Sequence, residues 1–579
     1  MTGPLRRRLT TALAALLVVA GLAGCASVPQ GSSVQVLRKV PVGGAPALPP
    51  GPADGTNPLD LVRGFVYASG SSTDRHGAAR RFLGSGAASW DDGAALTVLD
   101  EQFDTVYAPQ LADHDRDTTV VRIRGTQVGT LTPNGAFQPD ESPVEVDVTV
   151  TRHDGQWRIS RPPDGVLVRL SDFRSNYRTV KTYFIDPARG LAVPDVRYLP
   201  VVPARAQASR AVELLLNGPS AALTGAATSE LPPGARLRSN VAETPDGAVL
   251  VDLTQVGTLD GAARRRLAAQ VVLTLSEVNV GRIRLLVDGA PLLPGDIDLT
   301  RDDVTALSAG VDPRAVPQGL VVAGGRVRQL TSGEPGSPIP GQAGNGDLEV
   351  LSAATTVDGR TLAVVSRESG RPLLRIGSPD GPLQAVALDA TSMTRPSCTA
   401  TGEEVWTVLD GTTVARVLLG PTGEPRIGRV DGAELADLGV IQDLRLSRDG
   451  MRVAAVVGGK LVTAVVARRD GEAVIRNARV LRPGELGEVV AVDWRAPESV
   501  LVANNRADRP VMMVTVDGLA VQTIPSINLT PPLRAVTAFP GRALLVADQG
   551  GVWSFSSGEL DTWRQVLGGV PEAIPFYPG

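Results

Sequence analysis

The sequence predicts a multidomain fold: a small, cone-like α+β domain, a second α+β domain, and an all-β propeller of about six blades. Three observations carry this reading. Strand-like stretches recur beside turn residues from positions 319, 358, 401, 447, 496 and 539, in steps of 39 to 49 residues. Four-stranded propeller blades repeat at about 40–45 residues. Ahead of that repeat, strand and helix patterns alternate through 171–300. Earlier still, through 57–170, apolar residues at helical spacing give way to alternating strands, the order of an α+β domain.

Residues 1–24 have the layout of an export signal. Arg6, Arg7 and Arg8 precede a stretch from Leu9 to Ala20 that is apolar apart from Thr10 and Thr11. It is too short to cross a bilayer core of about 30 Å. It ends in Leu22-Ala23-Gly24-Cys25, which resembles the lipobox of bacterial lipoproteins. That resemblance implies lipid attachment at Cys25: an S-linked diacylglycerol, cleavage before the cysteine, and N-acylation of the freed amine. Several acyl chains, each giving about 0.8 kcal/mol per buried CH₂, anchor a chain stably. No apolar run after residue 25 is long enough to cross a membrane. The expected location is therefore the extracytoplasmic face of the cell membrane. Residues 25–56 read as a tether. From Ala26 the segment holds six prolines and five glycines, a composition that builds no packed core and spans roughly 30 Å as a coil or up to ~95 Å fully extended.

In the first domain (57–170), Leu59, Leu61, Val62, Phe65 and Val66 predict a short amphipathic helix, and a second helix is expected around 78–83. The stretch "VEVDVTVT" (144–151) places valines at alternate positions, so one face of a strand is buried. "HDGQ" (153–156) turns the chain into a returning strand through Trp157 and Ile159. The second domain (171–300) predicts the order β-β-α-β-β-α-β, with helices on a mixed sheet. "NGP" (217–219) ends its first helix, with Gly218 suited to the left-handed cap. "TPDG" (244–247) turns into the strand "AVLVDLT" (248–254), and Leu267, Val271, Leu275 and Val278 mark a second helix. "YFID", "LLLNGP", "GAVLVDLT" and "RIRLLVDGAPL", in that order, resemble the GerMN domain. In the third region (311–579), Asp358-Gly359 and Asp449-Gly450 supply turns with positive φ before buried strands.

The chemistry-bearing residues are few. Net charge is −4 with 20% charged residues, which gives no footprint for nucleic acid. With Cys25 lipidated, Cys398 stands alone, so no intramolecular disulfide forms, and a buried thiol is the favoured reading. The three histidines, His76, His114 and His153, lack metal-ligand spacing and read as solvated loop residues. The propeller region has no histidine, which removes a Ser-His-Asp triad within it. Asp91-Asp92 and Asp302-Asp303 read as solvated surface, and Asn528-Leu529-Thr530 as a chance glycosylation match. No catalytic, cofactor-binding or metal-binding residues are expected, and the chain is not expected to be an enzyme.

Lipobox, tether, α+β domain, GerMN domain and propeller together resemble the LpqB family of actinobacterial lipoproteins. The resemblance implies an accessory or modulator of a two-component sensor kinase of the MtrAB type, acting in cell-envelope homeostasis and division. Its implied partners are the membrane, through the anchor, and the extracytoplasmic domain of that kinase. An envelope glycan-binding protein or enzyme using the propeller's funnel is the alternative. A funnel lined by convergent carboxylates and aromatics would favour it.

Overall fold

Helix α1 (Pro58–Ser69) starts where its sequence allows. The Asn57 side chain accepts from the Asp60 backbone N–H, and Pro58 occupies the first turn. Leu61, Val62, Phe65 and Val66 form its buried face. This computed structural model describes residues 50–579 except 110–116, 296, 310–315, 334, 421–422, 557–560 and 571, and residues 50–579 form one compact unit.

The second helix, α2, lies at Thr73–Arg80 rather than 78–83, and Asp74, Arg75 and His76 within it are left-handed. The cause is tertiary. Ile159 donates to the Phe82 carbonyl and Gly84 donates to the Ile159 carbonyl, which draws 82–84 out of the helix and against a strand. Five strands follow: β1 (Leu96–Tyr107), β2 (Thr118–Leu131), β3 (Phe137–His153), β4 (Gln156–Arg161) and β5 (Val166–Arg169). Their sheet order is β4-β3-β2-β1-β5, with β1 and β5 parallel. Val148 and Val150 are buried on one face of β3. Asp154 and Gly155, both at positive φ, close its hairpin with β4.

A short helix α3 (Leu170–Asn176) leads into the second domain. Strands β6 (Tyr177–Asp186) and β7 (Leu191–Pro200) pair along their whole length as a two-stranded hairpin. The single mixed sheet expected here is thus divided. The second sheet contains β8 (Arg236–Leu237), β9 (Ala242–Glu243), β10 (Val249–Thr254), β11 (Ile283–Val287) and β12 (Ala290–Pro291), with β10 and β11 parallel. Helix α4 (Ala204–Leu216) ends at Asn217, with Gly218 at φ +75°. Helix α5 (Gly261–Ser276) is capped by Asp260 and buries Leu267, Val271 and Leu275. Its buried Gln270 donates to the Tyr183 carbonyl and accepts from the Glu230 N–H, tying α5 to the hairpin.

Six sheets complete the chain, five of four strands and one of five. Every repeated stretch noted in the sequence supplies the second strand of its sheet, so the register is the same in all six blades. The innermost strands of blades two to six are Glu349–Thr355, Ser397–Cys398, Ile441–Leu446, Val489–Ala496 and Ala535–Thr537. Ile574–Phe576 pairs with Leu320–Ala323 and is the innermost strand of blade one. Each inner strand touches the next, and that of blade one touches that of blade two, so the ring is closed. Blade four carries the fifth strand, Val430–Asp431, parallel to Glu472–Val480. The turns at Gly359 and Gly450 take φ of +70° and +71°.

Candidate functional site at the domain junction

Cys25 and His114 lie outside the described residues. His153 is exposed beside Asp154. His76 departs from the solvated reading. It is buried against Trp90, its Nδ1 sits 3.0 Å from the Ser69 carbonyl, and burial lowers its pKa. Asp92 also departs from a solvated surface, for Arg80 and Arg75 reach it at 2.5 and 3.1 Å. Asp303 forms a capping box with Thr300. Cys398 is fully buried, and desolvation pushes its thiol up to about 12, far from the thiolate that reactivity requires. Asn528 spends its amide on the Trp563 carbonyl. Among the described residues, no three His, Cys, Asp or Glu side chains group as a metal site, and no helix is long and apolar enough to cross a membrane.

Arginine side chains meet across the ring near its axis. Arg448 donates to the carbonyls of Trp494 (2.7 Å), Ala538 (2.7 Å) and Pro578 (3.2 Å), linking blades five and six to the closing segment. Arg445 donates to the Pro396 carbonyl at 2.6 Å and stands 3.8 Å from Asp493. Arg395 reaches the carbonyls of Val536 and Pro575. Asp493 accepts from Thr537 Oγ1 and the Ala538 N–H. Burial alone would raise its pKa, but Arg445, Arg395 and Arg448 hold it below the ordinary value. Burial likewise draws Arg445 down to about 10. These groups brace the ring through hydrogen bonds to backbone carbonyls, while Arg445 Nε has only its 3.8 Å approach to Asp493, and the set contains no nucleophile–base pair.

A second buried cluster joins blades three and four. Glu404 accepts from Arg416 (2.6 Å), Arg468 (2.9 Å) and Trp406 Nε1 (2.8 Å). Desolvation would raise this carboxyl, yet the two guanidiniums hold it down to about 2.

The GerMN-like domain seats on blades four and five. Arg189 pairs with Asp186 at 2.6 Å and also donates to the Asp449 carbonyl. Arg452 donates to the Pro194 carbonyl at 2.8 Å, and Tyr198 donates to Asp517 at 2.7 Å. Met451 and Val465 of blade four belong to the apolar core built by α4, α5 and the hairpin. The first domain joins the same junction. Arg197 donates to the Asn134 carbonyl and the Tyr198 N–H to that of Gly135, while Arg174, on the connecting helix α3, donates to the Leu519 carbonyl. Beside these contacts, between the hairpin and the propeller, lies a cavity of about 300 Å³ lined by residues of both domains. The sequence reading missed these residues. Their one local signal is the alternation of Asp443 and Arg445 with Leu444 and Leu446 in an otherwise buried strand.

Two α+β domains locked onto a six-bladed ring define a propeller protein built as one interlocked body. Residues 325–578 match the family described as "Lipoprotein LpqB beta-propeller domain", residues 51–174 match "Lipoprotein LpqB, N-terminal domain", and residues 181–293 match "Sporulation and spore germination". A protein of Rhodococcus opacus named "Lipoprotein LpqB" is 34% identical over 99% of both chains. Another of that name, from Nocardia farcinica, is 34% identical over 99% of this chain and 98% of its own. Among solved structures, a nidogen/laminin complex is similar over 45% of this chain and 98% of that chain, at 10% identity and a TM-score of 0.34. The chain belongs to the LpqB lipoprotein family.

Proposed function

We propose that the protein is a lipid-anchored, extracytoplasmic accessory of a two-component sensor kinase of the MtrAB type, acting by binding rather than catalysis. The observation that carries this reading is the interlocked unit of residues 50–579, whose blades are tied across the ring by hydrogen-bonded Arg448. It offers broad outer faces to a partner. The relatives are named as lipoproteins, in keeping with an anchor at Cys25. A transient signalling contact buries about 1,200 Å² or less and is weak. Holding both partners at one membrane raises their effective concentration and compensates.

The test compares wild type, Cys25→Ser and a deletion. Mass spectrometry of the wild-type chain should find a diacylglyceryl-cysteine at residue 25, and Cys25→Ser should release the protein from membranes. Kinase output should fall in the deletion and fall partway in Cys25→Ser. Equal output in all three would end the regulatory reading, while an unmodified Cys25 would end the anchoring one.

A further inference from the structure

The cavity at the GerMN–propeller junction has, at about 300 Å³, the size and setting of a small-molecule site, since such sites run from ~300 Å³ upward and favour domain interfaces. Three of its wall residues are poised for a ligand. The first is Lys181, on β6. Of 57 basic residues only Lys39, Lys181 and Lys460 are lysines. Lys181 is 22% exposed and stands 3.3 Å from Glu277 and 3.7 Å from Glu498. A guanidinium there would span the gap and pair bidentately with a carboxylate, whereas the compact ammonium leaves the space open.

The second is Glu498, whose buried Oε2 accepts no hydrogen bond and has only the Lys181 ammonium beside it, at 3.7 Å. A buried acceptor without a hydrogen bond is left desolvated, and a ligand N–H or O–H would relieve that cost. The third is Arg448, 7% exposed. It donates only to carbonyls, and among the described residues no carboxylate lies within ion-pair distance of it. Asp449 also lines the cavity: Ser447 and the Met451 N–H take its Oδ1, and its Oδ2, like Oε2 of Glu498, accepts no hydrogen bond and has only a cation near it, Arg452 at 3.8 Å. Trp494 and Pro497 supply apolar wall.

We propose that this cavity binds a small molecule carrying one anionic group, a carboxylate or a phosphate, and one hydroxyl or ammonium donor. The anion meets Lys181 and Arg448, and the donor meets Glu498. Because the walls come from two domains, occupancy tightens their docking. The proposal holds whether or not the chain engages a kinase.

The lysine count makes the test clean. The detergent-solubilised full chain is reductively methylated with and without three amine-free probes: inorganic phosphate, glycerol 3-phosphate and glycerate. Glycerol 3-phosphate, glycerate or both should slow methylation of Lys181 severalfold, leave Lys39 and Lys460 unchanged, and raise the melting temperature. Protection by one probe alone identifies its anion as the one bound. Glu498→Gln should weaken the effective probe about tenfold, equivalent to ~1.4 kcal/mol. The proposal is overturned if no probe protects Lys181, if all three lysines are protected alike, if inorganic phosphate serves as well as the larger probes, or if Glu498→Gln changes nothing.

Discussion

Two arginine–carboxylate clusters, one in the first domain and one in the propeller, have nearly the same geometry and opposite surroundings. On the open face of the first sheet, Arg122 pairs with Asp147 at 2.6 Å and with Glu145 at 3.1 Å, and Arg124 pairs with Glu145 at 3.1 Å. Between blades three and four, Glu404 pairs with Arg416 at 2.6 Å and Arg468 at 2.9 Å. The Asp147 side chain is 47% exposed and that of Glu404 6%. In the first cluster water already solvates each charge, so pairing adds little. In the second every charge has been stripped of water, and the cluster exists only because all its members are present. Distance alone therefore says nothing about what a pair contributes.

The largest effect should come from breaking the buried cluster. Glu404→Ala leaves two buried guanidiniums without a counter-charge, and guanidinium denaturation should show a loss of about 3–5 kcal/mol. A loss under ~1 kcal/mol would erase the contrast between the clusters. Acid should sharpen it. The folded Glu404 carboxyl is held to about 2, whereas an unfolded glutamate titrates near ~4.3. A depressed pKa contributes stability above the unfolded value, and that stability is lost as pH falls toward the folded one. The wild type should thus lose stability between about pH 5 and 2, and Glu404→Gln should show a flatter profile across that window. The smallest effect belongs to the exposed ladder. Asp147 is also held below its ordinary value, chiefly by its hydrogen bond from Arg122. Even so, Arg122→Ala should shift the denaturation midpoint far less than Glu404→Ala, and a melt in molar salt should remove most of the difference.

What was legible in the sequence was whatever a short stretch specifies. The alternating valines of β3, the Gly218 cap and the Asp-Gly turns before second strands all follow from side-chain period or backbone sterics within a few residues. The unexpected features depend on residues brought together from afar. Arg468 meets Glu404 across 64 positions, and no window contains both. Phe82 and Leu83 lie at helical spacing after Ala78, but the strand that claims them lies more than seventy residues on. Asp443 and Arg445 alternate with leucines as they would on a half-solvated strand, and only closure of the ring turns their polar side inward. Lys181 of the cavity takes its two glutamate neighbours from different domains, which no stretch of sequence reveals.

The pairing of Ile574–Phe576 with Leu320–Ala323 has a consequence for synthesis and turnover. Blade one takes three strands from the beginning of the ring and its innermost strand from residues made after all the other blades. A nascent chain lacking residues 574–576 cannot zip the ring shut, however well the middle blades have formed. The Pro578 carbonyl that Arg448 binds, and the Gly579 N–H donated to Thr355, act as the clasp. A protease that trims only this short segment unlatches the whole wheel, so the ring's lifetime is governed by a handful of residues far in sequence from the strand they lock.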